Sequence, residues 1–437
     1  IYNFRYNIFS SEWPVANRVI ELYLQKKSEN GGWERQINGI SNNEKAVLLL
    51  EKRTFKELLV DMELRNLQNN IVGQEASRLF ARAEINMGVE AFRDSLYSLL
   101  KRNTFLNIKF ENMLDTLGEI SRTDIRSLLG EWEKTTPLPF YSLGEPTLTK
   151  ITNKGGEEFF VLKMLISNNS DYDGIIHMDI RKDGWWYQPL EDPRAKTKIE
   201  MPAHTSKEFV SVWEDQIRNV EINTMVSGNL PNIISQDINN VKQERNKIVK
   251  DSIYILPESS FDLPGEIIVD NEDSTLFILS APPIVGLLPK WLDEVEETPF
   301  KYSGISWWRP PLQWTATTND RYYGKYIRSA FVIKSGDGSQ TATWKVPVPE
   351  VGQYDLYYHV FKDDELRWNN NLQGEYHFKV KYGSEVEDAY VNLRKANEGW
   401  EQLGSYYFDS DTIRVVLTDE CKLRSVTADA VKIVKRY

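Results

Sequence analysis

Apolar side chains recur three and four residues apart over roughly the first 140 positions, and at every second residue after that. The first spacing lines one face of an α-helix and the second lines one face of a β-strand. Val15, Val19, Leu22 and Tyr23 open the helical pattern behind Trp13-Pro14, and Gly31-Gly32 ends that segment. Ser41-Asn42-Asn43-Glu44 has the form of a capping box ahead of an apolar run at 46–50. Stripes follow at 54–69 and 72–87, break at Gly88, resume through Val89, Phe92, Leu96, Leu99 and Leu100, and continue over 105–117. Ser121-Arg122-Thr123-Asp124 is expected to cap a last helix at 125–132, which Pro137 and Pro139 stop.

From Tyr141 the period is two. Phe159, Val161, Lys163 and Leu165 alternate, as do Ile175, His177 and Asp179, with turn signals at Asn168-Asn169, Asp173-Gly174 and Asp183-Gly184. Residues 141–231 read as a small β-sandwich and 232–261 as a polar, part-helical connector. A second β-module is expected over 262–437, with strands at 266–270, 342–346, 352–358, 376–380, 399–408 and 426–433. The expected fold class is therefore multidomain α + all-β: an α-helical domain at 1–140, then two antiparallel β-sandwiches. Asp183-Gly184-Trp185-Trp186-Tyr187 reads as a hairpin carrying a core aromatic.

Composition narrows the function classes. A chain of 437 residues is long enough for several cores, and 41% apolar with 27% charged residues is a globular balance. The net charge of -11 argues against a nucleic-acid surface, which needs clustered Lys and Arg. The lone cysteine, Cys421, excludes an internal disulfide. No run reaches the roughly 18 apolar residues that span a bilayer; the most apolar stretch, 269–288, is interrupted by Asn271, Glu272, Asp273 and two prolines. The chain opens on Ile1 without a signal peptide, so it is expected to be a piece of a longer protein whose missing N-terminus could carry a membrane anchor.

Aromatic residues are abundant, with 13 Trp and 21 Tyr. Trp307, Trp308, Trp314, Tyr322, Tyr323 and Trp368 are candidates for a ligand-stacking face, because flat rings offer large area at low entropy cost. Consecutive strand residues face opposite ways, so at most one of Trp307 and Trp308 can be core if they lie on a strand. Asp270, Glu272, Asp273, Asp337 and Asp429 are oxygen donors of the kind calcium takes, but they lack an ordered ligand spacing. Glu75, Glu84 and Glu90 fall at helical spacing and read as a solvated face. No G-x-S-x-G elbow is present.

Two resemblances to known families add to this. Ile71-Val72-Gly73-Gln74-Glu75-Ala76, Gly88-Val89-Glu90-Ala91-Phe92, the 105–117 stripe and Glu131-Trp132 ahead of Leu138-Pro139 resemble, in order and spacing, the end of the catalytic domain of zinc aminopeptidases of the HExxH type. Asn168, Asp173-Gly174 and Ser227–Pro231 resemble the small sandwich that follows it there. The chain lacks the HExxH motif itself. Its four histidines, His177, His204, His359 and His377, all fall in β regions with no two at i, i+4, and Val72 stands where the family has a Tyr. A golvesin C-terminal-like β-sandwich is resembled by Glu266–Asn271, Tyr323-Gly324, Gly336-Asp337-Gly338, Ala342-Thr343-Trp344, Pro349-x-x-Gly352-x-Tyr354-Asp355-Leu356-Tyr357, Trp400-x-x-Leu403-Gly404 and Thr427–Val431. That second resemblance implies that Trp344 and Trp400 are core residues, and an accessory or binding role.

The expectation, which takes in both resemblances, is a non-catalytic binding or scaffolding portion of an exported or membrane-anchored bacterial aminopeptidase-like protein, with 1–140 as a remnant of the aminopeptidase catalytic domain. No cofactor or metal is expected, and the partner is a peptide, a glycan or a protein. Its place is extracytoplasmic, in the periplasm or at the cell surface. The alternatives are the C-terminal portion of an active zinc aminopeptidase with its HExxH upstream, or an extracytoplasmic module of a membrane-transport assembly.

Overall fold

The computed structural model describes residues 7–25, 32–153, 155–182, 188–245, 249–257, 265–280, 300–306, 308–362 and 374–436. Helices dominate the first part and antiparallel sheets the rest, as the two periodicities predict. Two compact units divide the chain: 1–31 with 42–261, and 32–41 with 262–437. Among the described residues no helix is long and apolar enough to cross a membrane, which says nothing of β-barrel spans.

The helical part of the first unit is organised around the long helix Gln68–Met87, whose buried stripe is Ile71, Val72, Ala76, Leu79, Phe80 and Ala83. Gly88, at φ +87°, ends it in a conformation other residues adopt with strain, and Val89–Arg102 restarts in a new direction. Tyr23, Phe80 and Phe92 pack at one end, with centroids 4.7 Å and 5.5 Å apart. Trp13, Phe55 and Trp132 pack at the other, both rings 4.9 Å from Trp132.

Some boundaries differ from the apolar pattern. The 54–69 stripe is a short helix, Phe55–Val60, with a Thr54/Glu57 capping box. Asp61 then leaves the helix to bind Arg53 at 2.7 Å and the Glu63 amide at 2.9 Å. The 105–117 stripe begins its helix only at Phe110, because Asn107–Lys109 is used as a strand parallel to Asn7–Phe9. The expected helix at 125–132 is a 3₁₀ helix, Arg126–Glu133.

The sandwich of the first unit faces a sheet around Thr147–Thr152, Glu158–Asn168 and Thr205–Trp213 with one around Gly174–Lys182, Lys196–Met201 and Ile217–Asn223. Its core is Leu148, Leu162, Met164, Ile176, Met178, Val220 and their neighbours. The stretch expected as a part-helical connector supplies three strands, Ile233–Asp237, Val241–Arg245 and Ser252–Pro257. All three are edge strands. Polar residues such as Lys242, Glu244 and Arg245 are what an edge carries, so composition alone made them look like a linker.

Glu84 and Glu75, expected on a solvated face, are buried, while Glu90 is exposed. Glu84 of the long helix accepts from Tyr23 Oη at 2.9 Å and pairs with Lys198 of the strand Lys196–Met201. Burial and the neighbouring Glu84 push the Tyr23 phenol far above its ordinary range.

Among the described residues the second unit has three sheets. One orders Glu266–Asp270, Ala430–Lys435, Gly352–Val360 and Gly399–Phe408; another contains Phe277–Leu279, Thr341–Pro347, Thr412–Thr418, Glu375–Tyr382 and Glu385–Asn392; the third holds Thr315–Thr318, Ser329–Lys334 and Ser425–Ala428. Trp344, fully buried, packs against Phe277 at 5.3 Å and Tyr358 at 6.2 Å. The run 426–433, expected as one strand, is two. Ser425–Ala428 pairs in the small sheet, Ala430–Lys435 in the four-stranded one, and Asp429 is the corner between them. Residues 32–41, part of the helical pattern, lie in this unit, where Thr318 Oγ1 donates to Gly39 O at 2.6 Å.

Candidate functional site

The site is built on the outer face of the four-stranded sheet of the second unit. Along Gly352–Val360 the residues Tyr354, Leu356, Tyr358 and Val360 are buried, so strand alternation turns Asp355, Tyr357 and His359 outward. In the neighbouring strand, counting back by twos from buried Phe408 and Tyr406 would turn Trp400 inward. A bulge intervenes: Leu356 pairs with Gly404 and Tyr357 with Gln402, so Leu403 is skipped and the parity inverts. Trp400 therefore lies opposite His359 on the outer face, half-buried, and not in the core as its motif suggested.

Three groups hold the Trp400 ring. Tyr323 and His359 have centroids 5.1 Å from it, and Lys432 Nζ stands 4.8 Å from it. Lys432 is itself fixed by Glu266 at 3.2 Å and lies 5.4 Å from the Tyr357 ring. Behind them sits Asp429, completely buried. His359 Nδ1 lies 2.8 Å from its Oδ2, and the Tyr323 amide donates to both of its oxygens at 3.1 and 3.2 Å. Burial raises the Asp429 carboxyl, and His359 pulls it back toward ionisation. Asp270 is pushed well above the carboxylate range by burial and by the charge of Asp429.

Beyond the aromatic floor runs a polar row. Gln402 Nε2 donates to Asp355 Oδ1 at 3.1 Å, and Arg436 Nε to Asp355 Oδ2 at 2.8 Å. On the Tyr323 side, Arg321 Nε reaches Glu398 at 2.6 Å. The Asp429 carboxylate orients the His359 imidazole. The arrangement can hold a ligand that is flat and apolar on one side and rich in hydrogen-bonding groups on its edge.

The aromatic residues singled out from sequence are only partly brought together. Tyr323 is in the cluster. Tyr322, its neighbour, is buried on Phe361 with centroids 4.6 Å apart. Trp314 packs on the core, and its indole nitrogen finds no hydrogen-bond partner among the described residues. Trp308 is 69% exposed, in a turn and not on a strand, with the Arg424 guanidinium 5.9 Å from its ring. Trp307, Trp368 and the 183–187 hairpin lie outside the described residues. Trp400, His359 and Lys432 were missed; outward aromatic positions beside the buried ones of 352–360 were the available signal.

The candidate calcium donors do not assemble either. Asp273 closes a turn onto Thr275, Asp337 does so onto Ser339, and Glu272 binds Lys301 at 2.6 Å and Tyr302 at 3.1 Å. Among the described residues no group of three or more His, Cys, Asp or Glu could hold a metal ion.

The golvesin C-terminal domain matches residues 310–435, which include Tyr323, His359, Trp400, Asp429 and Lys432 but not Glu266, Asp270 or Arg436. No family match falls on the helical region where the aminopeptidase resemblance was drawn, and that resemblance gains no support. No curated protein matches the chain. Among solved structures, the chain is similar to a Bacteroides uniformis β-glucuronidase at 12% identity and a TM-score of 0.19, over 69% of this chain and 30% of that one. It is also similar to TmCBM61 in complex with β-1,4-galactotriose at 14% identity and a TM-score of 0.15, over 39% of this chain and 86% of that one. A third is the Sulfolobus Turreted Icosahedral Virus structure, at 11% identity and a TM-score of 0.15, over 70% of this chain and 97% of that one. Likenesses this distant carry no argument about function. The chain spans less than a third of the glucuronidase chain's length.

Proposed function

We propose that the second unit is a non-catalytic glycan-binding module of an extracytoplasmic protein, and that the outer face around Trp400 is its binding surface. One observation carries this reading: a half-exposed indole, held in advance by Tyr323, His359 and Lys432, beside a row of planar polar side chains. A pyranose ring presents an apolar C–H face and an edge of hydroxyls, so it suits an aromatic floor flanked by amide, carboxylate and guanidinium groups. Pre-fixing the ring lowers the entropy lost on binding, which is what the buried Asp429 anchor does for His359. Peptide is the competing ligand.

The test is isothermal titration of the full chain against soluble oligosaccharides of neutral, amino and uronic-acid sugars. Binding by at least one class, lost in Trp400→Ala and kept in Trp308→Ala, supports the reading. Loss only in Trp308→Ala would move the surface to the exposed turn, and no binding to any class would remove the glycan reading.

A further inference from the structure

The first unit contains a cleft of about 360 Å³ that the binding reading above does not use. It lies between the helix Gln68–Met87 and the sandwich, with Leu79, Trp132, Pro137, Pro139, Ile175 and Met225 as apolar walls. Glu75 lines it at 1% exposure, and neither of its carboxylate oxygens has a hydrogen bond of normal geometry among the described residues, although Arg78 and Trp132 stand near enough to favour its ionised form. Its charged neighbour on the same helix, Arg78, keeps Nη1 3.6 Å from Oε1 and donates instead to Thr136 Oγ1 at 3.0 Å. An acceptor this buried and this poorly satisfied is uncommon in a folded protein, because it forgoes water without a replacement. Glu84, about two and a half turns along the same helix, is buried and well paired, so burial of a carboxylate in this unit does not by itself leave it unbonded.

The charges around the cleft have one sign in excess. Glu75, Glu131, Asp173 and Glu200 face two guanidiniums, Arg78 and Arg82. Arg82 leans to the rim, 3.8 Å from Glu200, and Glu131 is paired at 2.9 Å with Lys134. We propose that this cleft binds an organic cation, a primary ammonium or a guanidinium on an apolar stem, with Glu75 as its counter-ion. The apolar walls take the stem, and the cation supplies the hydrogen bonds that the Glu75 oxygens lack. A volume of this size suits a basic side chain or a small amine.

The pH dependence has a definite sign. Burial raises the Glu75 carboxyl, against the opposite pull of Arg78 and Trp132, so a proton and a cation compete for it. The groups facing it are Arg78 and Arg82 from its own helix, Glu131 from the 3₁₀ helix, and Asp173 and Glu200 from the sandwich. Glu131 is held low by Lys134, whereas Glu75 is pushed up. Affinity for a cation therefore rises with pH, and binding releases a proton.

The experiment titrates the full chain with benzamidine and butylammonium, with benzamide and butanol as neutral matches, across the pH range and in buffers of different ionisation enthalpy. The expected result is binding of the cations over the neutral matches, proton release, and at least about a tenfold loss in Glu75→Gln, the scale of one charged hydrogen bond. Equal binding of benzamide, affinity that is flat or falls with rising pH, or no cation binding at about 10 mM, a weak limit for fragments of this size, would overturn the proposal. The wild-type pH dependence decides the matter even if Glu75→Gln does not fold. Titration of Trp400→Ala separates this cleft from the glycan face: it must bind the cations unchanged.

Discussion

His359 Nδ1 lies 2.8 Å from Asp429 Oδ2, and the same imidazole packs edge-on against Trp400. Asp429 thus works from inside the sandwich on a ring at its surface. It is also the corner at which the chain leaves one sheet for another, so its main chain is fixed by both; Trp344 Nε1 donates to its carbonyl at 3.3 Å. Replacing it by alanine leaves the Tyr323 amide and the imidazole without their acceptor. Asp429→Ala is expected to lower stability by about 2–4 kcal/mol, read by denaturant unfolding of the second unit. His359→Ala, which keeps the Tyr323 bonds, is expected to lose less.

Lys198 and Glu84 form a fully buried ion pair, with Tyr23 completing the shell. Removing one charge strands the other. Lys198→Met is expected to destabilise the first unit by about 3–5 kcal/mol, and the double variant Lys198→Met with Glu84→Leu to recover most of that. A double-mutant cycle by chemical denaturation measures the coupling; additive losses would show that the pair is not coupled.

Asp270 sets a pH dependence. Burial and the Asp429 charge raise it well above the ordinary carboxylate range, so the folded chain binds this proton more tightly than the unfolded one. Its contribution to stability is full below the unfolded value near pH 4 and is lost as pH rises through the folded value. Asp270→Asn removes that loss. The variant is expected to melt above the wild type at pH 7, with the gap closing toward pH 4; a gap independent of pH would contradict the assignment.

Gly39 holds residues 32–41 in the second unit. Its φ is +80°, and a Cβ there would stand 2.4 Å from the Ser303 amide nitrogen. Gly39→Ala is expected to cost more than about 1 kcal/mol and to open this segment to limited proteolysis before the rest of the unit.

The fold class was legible because helix and strand periods are local properties of the chain. Trp344 was placed in the core correctly, by its position in the family pattern. Trp400 was misplaced because a bulge at Leu403, invisible to counting by twos, inverts the parity of the strand. The strands at 233–257 were taken for a connector because edge strands carry the charges of a linker. Glu75 and Glu84 looked like a solvated face because burial against a sandwich a hundred residues downstream leaves no local mark. Asp429 and His359 are 70 residues apart, and only the sheet order brings them together.

The most direct measurement of the central claim is the dissociation constant of the full chain for its best oligosaccharide, compared between wild type and Trp400→Ala. A central aromatic anchor is worth about 2 kcal/mol or more, so the expected loss is about thirtyfold, with melting temperature unchanged. An unchanged constant in Trp400→Ala, or no oligosaccharide bound at all, would contradict the glycan-binding account.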